Sequence, residues 1–263
     1  MRTAPGWLRD STLFQRILTS YCVFMTHFSA PEPLDLPLVS IEDTGLTILR
    51  RAMTEEFAGR FAVVSAFGAD SALLLALAAE INPGVPVLFL ETGMHFQQTL
   101  DHRDALVARL GLTDVRSIRP DPAAVAGRDP RGDLHLFVPD DCCALRKVAP
   151  LERALAPFAA WATGRRRHQT ATRTALPFVE RSGGRTKINP LADWSAERVA
   201  AEIARRNLPR HPLVAEGFVS IGCAPCTRAV RPGEDARAGR WAGLAKVECG
   251  IHGPAFTGGA AFA

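Results

Sequence analysis

The sequence predicts a doubly wound α/β domain built on a mostly parallel sheet. Short apolar runs alternate with longer helical stretches, and each of the first two runs ends in a polar, glycine-containing turn. The 263 residues, 47% apolar and 22% charged, suffice to bury the core of one such domain.

The elements follow in order. Ile41 to Glu56 reads as a helix because Leu46, Leu49, Ala52 and Met53 recur at helical spacing. Phe61-Ala62-Val63-Val64-Ser65 is the continuous apolar run that a strand buried on both faces needs. The turn Ala66 to Ser71 leads into an apolar helix, Ala72 to Ile81, stopped by Asn82-Pro83-Gly84. Val85 to Leu90 is the second strand, Gln97 to Leu110 the next helix and Val115 to Ile118 the third strand. Asp140 to Ala160 reads as helix, and Trp161-Ala162-Thr163 as a strand running into Gly164 and a basic loop. Ser195 is placed to cap a helix reaching Ala204. Residues 1–40, closing in Ala30-Pro31-Glu32-Pro33, are expected to be a poorly ordered extension, with Met25 as an alternative start. Residues 41–230 form the α/β domain, and the Gly- and Ala-rich residues 231–263 a mobile tail.

Composition narrows the function. No apolar run is long enough for a transmembrane helix, and Ile17 to Phe28, interrupted by Thr19, Ser20, Thr26 and His27, lacks the core and cleavage site of a signal peptide. Six cysteines are too few for a disulfide scaffold at this length, so a reducing, cytoplasmic setting is expected. A net charge of +4 does not suit a general nucleic-acid binder. Between Gly164 and Lys187, however, seven basic residues (Arg165, Arg166, Arg167, Arg173, Arg181, Arg185 and Lys187) stand against Glu180 alone, an excess that suits a small anion.

In the first turn, Phe67, Gly68, Asp70 and the hydroxyls of Ser65 and Ser71 surround a helix start, where free N–H groups favour phosphate or sulfate. A plain strand–helix connection with a good cap explains the same residues, which match neither GxGxxG nor a Walker loop. Glu91-Thr92-Gly93 lies at the carboxyl edge of the second strand, where open α/β sheets bind ligands; a simple turn is the alternative. Cys142-Cys143 and Cys223-Ala224-Pro225-Cys226 form two thiol pairs. Neighbouring helical residues diverge by about 100°, so Cys142 and Cys143 together reach one ion poorly, whereas a four-iron cubane takes each thiolate at a separate corner. The spacing favours a [4Fe–4S] cluster over zinc or four buried free thiols. Cys249, in Glu248-Cys249-Gly250-Ile251-His252, belongs to neither pair, and its polar tail setting makes it an accessible nucleophile or a bystander. Cys22 is read as a bystander.

In this order, the residues resemble the assimilatory sulfonucleotide reductases, and within them the bacterial adenylyl-sulfate reductases. The matching segments are Ser65 to Ser71; Glu91-Thr92-Gly93 with Phe96 and Thr99; Cys142 to Lys147; Gly164 to Arg173 with Lys187 to Leu191; and Ile221 to Thr227 with Arg237, Arg240, Trp241 and Glu248 to His252. The resemblance implies a fold of the adenine-nucleotide α-hydrolase type whose first turn is a modified pyrophosphate loop. It implies a [4Fe–4S] cluster on Cys142, Cys143, Cys223 and Cys226 that tunes the site without carrying electrons, and Cys249 as nucleophile with His252 beside it. Adenylyl sulfate is then held by Ser65, Phe67, Gly68, Asp70, Ser71, Glu91, Thr92, Gly93, Lys147, Gly164, Arg167, Arg173, Arg237 and Arg240. The second-strand motif of the family usually reads Asp-Thr-Gly; here Glu91 replaces the aspartate.

The implied reaction has two halves: Cys249 takes the sulfonate and releases AMP, then a dithiol carrier such as thioredoxin releases sulfite. Neither a nucleic acid nor a membrane is an expected partner, and a homo-oligomer is left open. Three competing readings are a 3′-phosphoadenylyl-sulfate reductase, an ATP-pyrophosphatase-type adenylating enzyme, and a zinc- or cluster-bearing nucleic-acid module. The second lacks its Ser-Gly-Gly-x-Asp turn here, and the third leaves Cys249 idle.

Overall fold

A computed structural model describes residues 44–252, apart from 183, 245 and 247. The N-terminal extension with Cys22 and Met25, and residues 253–263 of the tail, lie outside the described residues. Helix α1 (Thr44–Arg51) runs into a π-helical turn, Ala52–Glu56, and turns Ile48, Leu49, Ala52 and Met53 inward. At its start, a Cβ on Gly45 would lie 1.9 Å from the Pro190 carbonyl oxygen, so only glycine allows the approach.

Strands β1 (Phe61–Ser65) and β2 (Val87–Leu90) are buried along their whole length. Between them, α2 (Ser71–Ile81) is apolar all round and buries every residue from Ala72 to Ala78, as such a helix must. Helix α3 (Gln97–Leu110) ends at Gly111, whose φ of 62° closes the helix in the left-handed conformation that glycine adopts freely. Strand β3 (Val115–Ile118) leaves Arg116 and Ser117 exposed.

Then come α4 (Pro122–Arg128), capped by the Asp121 carboxylate, the short α5 (Leu134–Phe137) and α6 (Pro139–Cys143), a second π turn at Ala144–Val148, and α7 (Ala149–Leu155). The single helix expected from Asp140 to Ala160 therefore ends early. Its last predicted residue instead begins β4 (Ala160–Ala162), where pairing of Ala160 with Phe61 of β1 outweighs the helix propensity of alanine. Two further strands, β5 (Val179–Ser182) and β6 (Arg185–Ile188), form a hairpin absent from the sequence reading. Helix α8 (Ala196–Arg205) starts as expected, with Ser195 Oγ accepting the Arg198 N–H at 3.2 Å.

The strands lie in the order β3-β2-β1-β4-β6-β5, parallel except for β5. The chain winds outward through β2 and β3 on one side of β1, and through β6 and β5 on the other side of β4. The β1/β4 boundary is thus the switch point, where the connections leave a crevice at the carboxyl ends. One face of the sheet packs Leu88, Leu90 and Trp161 against Leu151 and Leu155 of α7. Ile251 joins that cluster, and Cys249 packs against it, so this part of the tail is joined to the core. Among the described residues, no helix is long and apolar enough to cross a membrane.

His102 of α3 faces His211, with ring centroids 4.9 Å apart. His211 accepts the Leu213 N–H at Nδ1, so its proton sits on Nε2 and is donated to Thr99 Oγ1 at 2.9 Å. Burial lowers both imidazole pKa values from 6.5 to about 4. The unfolded chain therefore binds more protons than the folded one between those values, and stability is lost as pH falls from 6.5 towards 4. Thermal melting followed across that window should show the decline, and His102→Met should make it shallower while leaving the part due to His211.

Candidate active site

The switch-point crevice is lined first by the turn after β1. Ser65 Oγ accepts the Phe67 N–H at 3.2 Å, and Phe67 takes a φ of 49°. A bulky residue in the left-handed region is strained; full burial of its ring, edge-on to Phe89 at 5.4 Å, holds it there. Gly68 follows because a Cβ would stand 3.3 Å from the Ile221 carbonyl oxygen. The turn delivers the N-terminus of α2, whose Ser71 N–H bonds back to Gly68 at 3.1 Å. Asp70 is paired with the Arg166 guanidinium, which reaches it from the loop after β4.

After β2, Thr92 is fully buried, with Oγ1 3.4 Å from Cys223 Sγ. Arg146 donates to the Thr92 carbonyl at 2.9 Å and twice to buried Asp129, at 2.7 and 3.1 Å. Arg146 thus ties the segment carrying Cys142 and Cys143 to the sheet edge. Glu91 turns its longer side chain sideways: one oxygen accepts the Gly93 N–H at 3.3 Å, and the other lies 3.7 Å from Arg103 of α3.

The four paired cysteines come together although Cys143 and Cys223 are distant in sequence. Burial first, then Cys143, Cys223 and Cys226, push the Cys142 thiol up to about 12. The Ala224 N–H donates to the Met94 carbonyl at 2.7 Å, anchoring the Cys223–Cys226 turn beside β2. The π turn Ala144–Val148 directly follows Cys142-Cys143 and carries Lys147. Burial alone would lower the Lys147 pKa, but thiolate charge at Cys223, Cys249 and Cys143 outweighs it and the net shift is upward. Lys147 therefore interacts with Cys223 and Cys143 of the thiol group and with Cys249. Among the described residues, no three His, Cys, Asp or Glu side chains converge on a point suited to one ion. Four thiols from two segments, two of them on adjacent helical residues, suit the separate corners of a cubane better than one zinc ion, which needs all its sulfurs at about 2.3 Å.

A cluster of cations covers the rest of the crevice. Lys187 is buried, with its ammonium 4.8 Å from the Trp161 ring centroid and 3.5 Å from Glu180. Burial, then Arg165 and Arg173, bring its pKa down to about 7. Arg165 bonds Asn189 at 3.1 Å and pairs with Glu180; burial and Arg173 draw its pKa down to about 10. Arg240 lies over Trp241 at 4.5 Å, and its Nε is buried without a partner among the described residues. The His252 ring stacks on Trp161 at 6.4 Å, with a buried, unpartnered Nδ1. Burial, then Lys187, Arg165, Arg173 and Arg237, hold its pKa well below 6.5, so His252 is neutral. It can therefore lend a hydrogen bond but no positive charge.

Cys249, His252, Lys147, Arg173, Arg237 and Arg240 are thus brought to one region. Arg167 is not: its Nε donates to the Leu176 carbonyl at 2.9 Å and its guanidinium lies over Phe178. Arg165, Lys187 and Glu248 enter the site without having been singled out. The basic excess announced such a site, but loop sequence does not reveal which arginines turn inward.

The sequence from 60 to 229 matches the family described as "Phosphoadenosine phosphosulfate reductase domain". The chain belongs to this reductase family. It is 55% identical to the adenosine 5′-phosphosulfate reductase of Mesorhizobium japonicum, over 79% of this chain and 82% of that protein. The protein of that name from Streptomyces coelicolor is 48% identical, over 81% of this chain and 90% of its own. The phosphoadenosine 5′-phosphosulfate reductase of Gloeobacter violaceus is 41% identical, over 83% and 98%. Among solved structures, the phosphoadenylyl-sulfate reductase of Candida auris has a TM-score of 0.59 at 26% identity, covering 86% of this chain and all of that one. The FMN adenylyltransferase of Candida glabrata, at 15% identity and a TM-score of 0.50 over 72% and 67%, shares the fold alone. This reductase therefore has the adenine-nucleotide α-hydrolase-like fold, and the adenylating and nucleic-acid readings fall away.

Gly222 makes room for Arg240: a Cβ there would stand 2.2 Å from Arg240 Nη2 and 2.5 Å from its Cζ. Gly222→Ala should displace this flexible guanidinium while leaving the melting temperature of the reductase unchanged. Affinity for inorganic sulfate, measured by calorimetry, should fall about tenfold or more, the worth of one charge-assisted hydrogen bond.

Proposed function

We propose that this chain reduces adenylyl sulfate to sulfite and AMP, a step of assimilatory sulfate reduction, with Cys249 as nucleophile. The observation that carries the reading is the group of cations around a cysteine that belongs to neither thiol pair: Arg165, Arg173, Lys187 and Arg240 all respond to charge at Cys249. The names of the relatives at 55% and 48% identity support this substrate. The nucleotide lies along the carboxyl edge, between the Ser65–Ser71 turn, Glu91-Thr92-Gly93 and Gly164, with phosphate oxygens at the start of α2.

In the first half-reaction, Cys249 Sγ attacks the sulfur of adenylyl sulfate. The bond from sulfur to the bridging oxygen breaks, its electron pair leaves with AMP, and an S-sulfonated cysteine remains. Two anions meet in this step, so fixed cations are the principal aid: Lys147, Arg237 and Arg240, with Arg165 and Lys187, offset charge on the sulfonate and the departing phosphate. Neutral His252 supplies a hydrogen bond. In the second half, one thiolate of a dithiol carrier, thioredoxin or similar, attacks Cys249 Sγ and releases sulfite. The second carrier thiol resolves the mixed disulfide, so both electrons come from the carrier. Cys249 packs against the core, so the tail has to open for a protein carrier to reach it. The cytoplasm, where thiols stay reduced, suits this chemistry.

Cys142, Cys143, Cys223 and Cys226 would hold a [4Fe–4S] cluster; the interaction of Cys142 with the other three thiols supports that choice. When bound, the cluster supplies fixed charge beside Lys147 and no electrons. The name of the Gloeobacter violaceus relative favours a second reading, the 3′-phosphorylated substrate.

A sulfite-release assay comparing adenylyl sulfate with its 3′-phosphorylated form distinguishes the two; faster turnover of the latter would reverse the assignment. Incubation with adenylyl sulfate alone should add the mass of one SO₃ group to Cys249. Cys249→Ser should abolish the adduct and sulfite release while keeping the cluster's visible absorbance. Serine at any of the four paired cysteines should bleach that absorbance.

A further inference from the structure

Cys249 is flanked by two different constraints. On its N-terminal side, Glu248 Oε1 accepts from Arg173 Nε and Nη2 at 2.7 and 2.6 Å, while Oε2 lies 3.5 Å from Arg237 Nη2. Arg173 is itself anchored, since its Nη1 donates to Gln169 in the loop after β4. This is a partly buried, charge-assisted arrangement, with the side chains of Arg173 and Glu248 only 8% and 21% exposed, and such bonds are about twice as strong as neutral ones. On the C-terminal side, a Cβ on Gly250 would stand 3.1 Å from Val148 Cγ2, in the π turn that carries Lys147. The backbone of the nucleophile is thus tied to the basic loop by its preceding residue and set against the thiol-bearing segment by its following one.

We propose that Glu248 is a positioning residue, a clasp that joins the tail to Arg173 and presents the Cys249 sulfur to the substrate. The inference rests on the reductase reading above and adds a role to a residue outside its chemistry. A carboxylate repels sulfate and phosphate, so Glu248 is no ligand of the reacting groups; its contribution lies in where it holds the next residue. It also redefines Arg173, which spends two of its nitrogens on the clasp. Attack on sulfur requires the thiolate in line with the leaving oxygen, and a displacement of about 1 Å slows such a step by up to 100-fold.

The test uses the holoenzyme and its Glu248→Gln and Glu248→Asp variants. In Glu248→Gln, Cys249 sulfonation by adenylyl sulfate in a single turnover should slow by roughly 10- to 100-fold. Affinity for AMP should stay equal or rise. Alkylation of Cys249 by iodoacetamide, located by peptide mass spectrometry, should speed up as the tail is released. Glu248→Asp, which keeps the charge, should recover most of the sulfonation rate. An unchanged sulfonation rate overturns the proposal, as does weaker AMP binding with unchanged alkylation, which would make Glu248 an organiser of the nucleotide site. Wild-type protein that forms no adduct would instead remove the reductase reading itself, while the alkylation comparison would still report the clasp.

Discussion

The structure depends on confining positive charge at the switch point of a parallel sheet. Arg165, Arg173, Lys187, Arg237 and Arg240 share a crevice with Glu180 and Glu248 as counter-charges, and burial there lowers the pKa of Arg165, Arg173, Lys187 and Arg240. The lowered pKa of Lys187, at about 7, is the local expression of that frustration. Such an arrangement survives because indole faces and hydrogen-bonding loops hold the cations in place: Trp161 under Lys187, Trp241 under Arg237 and Arg240, and Asn189 beside Arg165. Bringing a dianion among these cations would relieve the repulsion, and that relief would appear as affinity and transition-state stabilisation.

The thiol group, which interacts with Lys147, has the opposite electrostatic character. Burial, then the neighbouring thiols, raises the Cys142 pKa, while Lys147 and Arg240 favour thiolate at Cys223 despite its burial. Lys147 links the two halves of the site because it responds to Cys223, Cys143 and Cys249 together. The π turn that carries it adds a residue to the helical turn just after Cys142-Cys143, and Arg146 from the same turn is fixed by Asp129 and the Thr92 carbonyl. The Cys142-Cys143 segment, the sheet edge and the Cys249 segment are therefore joined through the five residues of that turn.

The strands up to Ile118 and helices α2, α3 and α8 were legible in the sequence within a few residues, because their apolar periodicity and caps are local signals. The β5–β6 hairpin was not, since Glu180, Arg181, Arg185 and Lys187 give it a charged pattern that only the crevice explains. The break of the predicted Asp140–Ala160 helix was hidden for a related reason: alanine is compatible with either state, and pairing with β1 decided it. The tail read as polar, yet Ile251 enters the core because Gly250 permits the close approach to Val148.

By itself the sequence determined the chemistry available: two thiol pairs, one further cysteine, a basic loop and a glycine-containing turn after a buried strand. Those are statements about residue types and spacing, and an ordered set of them identifies the family. Only the tertiary structure decided which groups face one another. It laid Arg167 over Phe178 and buried Arg165, and it made His252 neutral through burial and four nearby cations. It also paired Glu248 with Arg173 and Arg237. The reason is that charge, protonation and reach depend on distance through a low-dielectric interior, and distances between segments far apart in the chain are set by packing rather than by order.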